Sequence, residues 1–160
     1  MDRVNEICRH PLWLESVEAI RRLEQERIFC RHDAEHFLDV ARLAYIENLE
    51  HRLGIPPEQI YAAALLHDIG RHLQYLEGIP HHRGSAALAE TILTDCGFSQ
   101  AERREILSAI LRHRSRETAA GKDLAGLLYR ADKASRSCLF CQAREACNWG
   151  REKKNMTLKR

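Results

Sequence analysis

A chain of 160 residues, 44% of them hydrophobic, is long enough to bury one core. A formal net charge of +2 supplies no global field for nucleic acid, and no apolar run approaches the length that spans a membrane. The start, Met1-Asp2-Arg3-Val4-Asn5-Glu6, lacks a signal-peptide pattern, so the cytoplasm is the expected compartment.

There is no sustained alternation of apolar and polar residues and no Asn-Gly or Asp-Gly hairpin. The expected class is therefore all-α, one domain over residues 1–160 with about six helices. The first is predicted from about Leu12 to Phe29, opened by Pro11, with Leu12, Val17, Ile20, Leu23 and Ile28 on its apolar side. The second runs from about Ala34 to Leu53, with Asp33 as N-cap and Gly54 beyond its end. Phe37, Val40, Ala41, Ala44 and Tyr45 form its stripe, and His36 lies one turn before Val40. His32, ahead of the helix, is expected to face solvent or to stand behind the site.

Pro56-Pro57 opens the third helix, around which the chain is organised. Ile60, Ala63, Ala64 and His67 fall at i, i+3, i+4 and i+7, which puts His67 on the buried face. Asp68 follows at the helix end, and Gly70 is placed to stop the helix in the left-handed conformation. A buried histidine beside a carboxylate needs a partner, and a divalent metal satisfies both. Residues 71–80 read as an ordered loop punctuated by Gly78 and Pro80. His81 or His82 then leads into a fourth helix, about Gly84 to Cys96, with Ala86, Ala89 and Leu93 on one face and Gly97 at its end.

Ser99-Gln100-Ala101-Glu102 is a capping box for the fifth helix. Ile106, Ala109, Ile110 and His113 repeat the spacing of the third helix, so a second helix delivers a histidine off its apolar stripe. Gly121 breaks the chain before a sixth helix, about Leu124 to Ser135. Asp132 sits one turn beyond Leu128 on its stripe of Leu124, Leu127, Leu128 and Ala131. Residues 138–150 are cysteine-rich, and residues 151–160 read as a loose tail.

Six metal-capable residues thus stand where apolar faces end: His36, His67, Asp68, His81, His113 and Asp132. Nine histidines are about twice average usage, and imidazole with carboxylate suits Fe, Mn, Zn or Ni. The series resembles the HD superfamily of metal-dependent phosphohydrolases. Leu65-Leu66-His67-Asp68-Ile69-Gly70 matches its namesake motif. His36-Phe37-Leu38-Asp39-Val40-Ala41 resembles its first-histidine helix, and Tyr129-Arg130-Ala131-Asp132-Lys133-Ala134 the segment with its last aspartate. The resemblance covers about residues 33–136. It implies a helical bundle with His36, His67, Asp68 and Asp132 on one metal.

His81-His82-Arg83-Gly84-Ser85-Ala86 is similar to the family element in which a histidine precedes a small residue by four, which selects His81 over His82. Leu111-Arg112-His113-Arg114 resembles the fifth-position histidine. Members with both usually hold two metals bridged by the aspartate of the pair. The resemblance therefore implies a dinuclear site of two divalent metals, Fe, Mn or similar, with Asp68 as bridge and a part in orienting hydroxide. Two such metals generate hydroxide near neutral pH and clamp the attacking and leaving oxygens of an in-line displacement.

Arg71, Arg112, Arg114, Lys133 and Arg136 neighbour ligand positions, and guanidinium suits phosphate. Arg71, as a catalytic and substrate-binding residue, and Lys133, as a substrate-binding one, are singled out. His72, Gln74 and Tyr75 are the guesses for further substrate contacts. The expected reaction is hydrolysis of a phosphoester or phosphoanhydride, a nucleotide's by preference, by a metal-activated hydroxide. The alternatives are a diiron oxygenase of the HD type and a non-catalytic nucleotide-binding module.

Outside the resemblance lies Cys138-x2-Cys141-x5-Cys147, a spacing that can wrap one metal. In a reducing compartment six cysteines argue for metal or redox use over disulfides. Cys30 precedes His36 by six residues and Cys138 follows Asp132 by six. If the two helices run antiparallel, both cysteines emerge on one side. The expected second metal site is therefore Cys30, Cys138, Cys141 and Cys147, with Cys8 as the other choice for Cys30. It would hold zinc or an iron–sulfur cluster.

Overall fold

A computed structural model describes residues 1–158; the last two residues of the tail expected to be loose, 159 and 160, lie outside the described residues. The fold is all-helical, with eight α-helices and no strand among the described residues. None of these helices is long and apolar enough to cross a membrane.

The chain opens with a helix the periodicity does not announce, α1 (Asp2–Arg9), which buries Val4 and Ile7. Arg3 fastens it, donating to Glu58 and Glu102 while its guanidinium lies 4.2 Å over the Phe98 ring. Extended His10 separates it from α2 (Pro11–Leu23), which has proline in its first turn. α2 stops six residues short of the expected Phe29. Glu24, at its C-cap, turns inward and is 3% exposed, accepting from the backbone N–H of His32 at 2.8 Å.

α3 (Ala34–Glu50) begins as expected at Asp33, whose carboxylate accepts from the His36 N–H at 2.9 Å. α4 (Pro57–Leu66) is the central helix, with Ala62 to Leu66 all buried, and it packs against α3, α7 and α1. A tight turn over residues 67–70 leads straight into α5 (Arg71–Glu77), where a loop was expected. Gly78, at φ 73°, ends it in the left-handed region. Gly70 does not adopt that region; its φ is −78°. It is required because the chain passes α6 so closely there that a Cβ would stand 2.2 Å from the Ser85 nitrogen.

α6 (His81–Asp95) starts at His81 itself, three residues earlier than predicted. α7 (Gln100–Arg112) opens on the complete Ser99/Glu102 capping box. After a short 3₁₀ turn, α8 (Leu124–Ala134) is capped by Asp123 and packs on α3 and α7. Among the described residues, the remainder has two short 3₁₀ turns, Cys138–Phe140 and Arg151–Lys153. It is tied back at one point of the tail expected to be loose: the Asn155 amide donates to the Lys133 and Arg136 carbonyls at 2.7 and 2.9 Å.

Candidate metal centre

Five helix ends meet at one place in the core. His36 is in the first turn of α3, His67 and Asp68 follow α4, and His81 opens α6. His113 caps the end of α7, and Asp132 is in the last turn of α8. All six side chains are buried, Asp68 to 1% exposure. They form two groups, His36 with His67 and Asp132, and Asp68 with His81 and His113. Within each group the ligand atoms all lie within 4.8 Å of one another.

The four histidines are presented alike. Each fixes Nδ1 to a neighbour and turns Nε2 inward. His67 Nδ1 donates to the Ala64 carbonyl at 2.7 Å, and His113 Nδ1 to that of Ile110 at 2.6 Å. His81 Nδ1 donates to Gln74 Oε1 at 2.6 Å, the same oxygen that accepts from the His81 backbone N–H. Ser135 commits its hydroxyl hydrogen to the Asp132 carbonyl, so its oxygen is left to accept from His36 Nδ1 at 3.3 Å. Burial pushes His36 down to about 2, His67 to about 4 and His81 to about 3, which keeps these rings neutral. Their Nε2 atoms therefore carry lone pairs.

Those lone pairs face carboxylate oxygens. Asp68 Oδ1 is 3.2 Å from His81 Nε2 and 3.6 Å from His113 Nε2, while Oδ2 is 3.5 Å from His67 Nε2. Asp132 Oδ1 is 3.6 Å from His36 Nε2 and 3.9 Å from His67 Nε2. Acceptor set against acceptor makes no hydrogen bond, and His67 Nε2, His81 Nε2 and Asp68 Oδ1 are buried without a partner. Such atoms are costly to bury unless a cation lies between them. The donor set therefore fits divalent metal ions, with one oxygen of Asp68 turned to each group.

Basic side chains surround the carboxylates. Arg71 Nε donates to Asp68 Oδ2 at 3.2 Å with a fifth of the side chain exposed, and Lys133 contacts Asp132 Oδ2. Burial works against ionisation of Asp132, yet the Lys133 and Arg136 charges outweigh it and hold the carboxyl below its usual range. Arg136 is one of three basic residues, with Arg112 and Arg114, that sequence reasoning named but did not select. It is buried, with Nη2 3.2 Å from Asp132 Oδ1 and 3.5 Å from His36 Nε2. Arg112 instead pairs with Asp123 at the surface, and Arg114 is exposed.

Of the three residues guessed as substrate contacts, none is left pointing at an open loop. His72 Nδ1 donates to the Ile69 carbonyl at 2.8 Å, Gln74 holds His81, and the Tyr75 hydroxyl donates to Glu24 at 2.6 Å. Of the two places expected for His32, solvent is excluded and a position behind the ligands fits. His32 is 3% exposed and its Nε2 lies 3.7 Å from Asp68 Oδ2. Neither His32 nor its partner Glu24 falls on an apolar stripe, so periodicity could not flag them. The one available signal was that His32 precedes His36 by four.

The cysteines are arranged differently. Among the described residues, the groups of three or more potential ligands are the two His/Asp groups, so Cys30, Cys138, Cys141 and Cys147 are not brought together as one. All six cysteines are free thiols. Cys138 is buried, while Cys30 and Cys141 line one cleft of about 350 Å³ with His36, Ser135, Arg136 and Phe140. The antiparallel argument thus places Cys30 near the segment that starts at Cys138. Cys8 is on α1, packed against the main core.

Comparison with known proteins agrees with this architecture. The model of the family described as HD domain matches residues 33–140, a span that includes all six residues of the centre. An uncharacterized protein of Clostridium beijerinckii is 42% identical over 158 residues, covering 99% of each chain. No solved structure matches the chain. The family is in general one of metal-dependent phosphohydrolases, and this chain belongs to it: it is an HD-domain protein.

Proposed function

We propose that the chain hydrolyses a phosphoester or phosphoanhydride of a nucleotide at two divalent ions held by His36, His67, Asp68, His81, His113 and Asp132. The observation that carries this reading is the divided carboxylate of Asp68, with Oδ1 toward His81 and His113 and Oδ2 toward His67. Ions held there supply a hydroxide near neutral pH and Lewis-acid stabilisation of phosphoryl oxygens. Arg71 and Lys133 hold Asp68 and Asp132 ionised and add positive charge at the edge of the centre, where a phosphate gains charge-assisted hydrogen bonds.

The cleft beside His36 supports a nucleotide-sized substrate. At about 350 Å³ it falls within the range of small-molecule sites, roughly 300–1,000 Å³. Arg31, Ser135, Arg136 and Ser137 line it with donors, and Phe29 and Phe140 offer aromatic surface.

The test is elemental analysis of freshly purified protein coupled to a screen of nucleotides and dinucleoside polyphosphates. Two ions per chain with phosphate release support the proposal. A full complement of ions without turnover would indicate a binding module. Dioxygen consumption by ferrous-loaded protein would indicate an oxygenase.

A further inference from the structure

Five basic residues neighbour ligand positions in the sequence, and Arg136 is the one of the five that lines the cleft beside His36. It follows the Ser135 C-cap of α8, so the helix end that presents Asp132 also carries Arg136 to the cleft wall. Its side chain is only 8% exposed. A guanidinium has five N–H donors and no acceptor, and burying one is costly unless those donors find partners. Nη2 donates to Asp132 Oδ1 at 3.2 Å and lies 3.5 Å from His36 Nε2. Nε is buried without a partner.

Asp132 does not make up the deficit. Its Oδ2 is already taken by Lys133, and its Oδ1 belongs, with His36 Nε2, to a candidate ligand group. Those two atoms cannot give one lone pair both to an ion and to Nη2. The other carboxylates on the cleft wall do not supply an acceptor either. Asp33 caps α3 through the His36 N–H, Asp39 lies 3.9 Å from Arg42, and Glu35 is exposed. The partner that Arg136 lacks is therefore an anion from outside the chain. A phosphate matches it, because two of its oxygens fit the parallel N–H fork of a guanidinium. At the outer part of the same cleft Phe140 presents its ring, 71% exposed. That order puts a phosphate inward and an organic group outward.

We infer that Arg136 is a further substrate-binding residue, which grips the substrate's phosphate through Nε and a neighbouring Nη while the organic group lies toward Phe140. The identity of that anion as a substrate rests on the hydrolase reading above. Arg71 and Lys133 each contact a carboxylate of the centre and are not on the wall of this cleft. Arg136 thus fixes the side from which the phosphate enters.

The test compares metal-loaded wild-type, Arg136→Ala, Arg136→Lys and Phe140→Ala proteins. The readouts are metal content, the calorimetric Kd for inorganic phosphate, and KM on the best substrate from the screen. Arg136→Ala should weaken inorganic phosphate about 10–100-fold and raise KM to a similar extent, with both ions retained. Arg136→Lys keeps the charge but loses the fork, and should weaken phosphate about three- to tenfold. Phe140→Ala should raise KM for a nucleotide about fivefold or more and leave the phosphate Kd within about twofold.

Active Arg136→Ala protein with an unchanged phosphate Kd would overturn the inference and leave the hydrolase reading intact. Loss of ions from both Arg136 variants would overturn it too, by reducing Arg136 to a support for Asp132 and His36. A KM unmoved by Phe140→Ala would overturn the placement of the organic group. Phosphate binding that depends on Arg136 in a protein that turns over nothing would support the anion site and remove the hydrolase reading. Should Arg136→Ala fail to fold, Arg136→Lys decides, and a phosphate Kd equal to that of wild type would overturn the inference.

Discussion

The molecule contains two collections of metal-capable side chains, and they differ in what holds them. The histidines and aspartates stand at the ends of packed helices, each imidazole anchored through Nδ1 before its Nε2 reaches inward. Cys138, Cys141 and Cys147 occupy a segment whose regular structure is one three-residue turn, joined to the bundle by Asn155. Convergence in the first case is enforced by the burial of several helix faces at once. In the second, sequence spacing has no packed element to convert it into a shared position. Orphaned acceptors follow the same division, with His67 Nε2, Asp68 Oδ1 and His81 Nε2 in the first collection.

The contrast can be broken most severely at Asp68. Asp68→Ala should abolish retention of both ions and reduce turnover below detection, because one carboxylate faces both groups. Elemental analysis of the variant checks this, and two retained ions would contradict a bridging role. Next in size is Gly70→Ala. Its Cβ would meet the Ser85 nitrogen at 2.2 Å and the Gly84 carbonyl carbon at 2.6 Å, backbone atoms with nowhere to go. Denaturant titration should show a loss of at least ~2–3 kcal/mol.

A smaller effect is expected at Gln74, which aims His81. Gln74→Ala should weaken binding of the ion nearer His81 by about 10–100-fold, read by competition with a chelator, and spare the other ion.

The pH dependence sharpens the comparison further. In metal-free protein His36, His67 and His81 stay neutral well below 6.5. The unfolded chain takes up protons there as pH falls through about 6.5, so it binds more than the folded chain and stability drops. The Tm of metal-free protein should therefore be lower at pH 5 than at pH 7. Below about pH 4.5 Glu24, held down to about 2 against its burial by His32 and Tyr75, adds a loss of the same sign.

The smallest effect concerns the cysteines. If they bind zinc or iron, alkylating them in native protein should release that metal and leave the His/Asp ions in place. Unchanged total metal after complete alkylation would show that the cysteines hold none.

Much of the scaffold was legible because its determinants are local. Asp33, Ser99 with Glu102, and Asp123 each cap the helix that follows within three residues. The i, i+3, i+4, i+7 stripes ending at His67 and His113 place both on buried faces without reference to any other helix. What was illegible depends on partners far along the chain. Glu24 ends α2 early because His32 captures it. Residues 71–77 form a helix whose Gln74 and Tyr75 serve His81 and Glu24. Gly70 reads in sequence as a left-handed helix stop, whereas it answers to the backbone of α6.

Taken alone, the order of residues determined the helical class, most helix starts and which histidines and aspartates leave a buried face. It could do so because helical periodicity and capping act over one or two turns. Only the tertiary structure decided which Asp68 oxygen faces which group, that Arg136 and His32 stand beside the centre, and that the cysteines form no ligand group of their own. Those are distances between side chains on different helices, set by how closely buried surfaces pack, and no pattern along one helix encodes them.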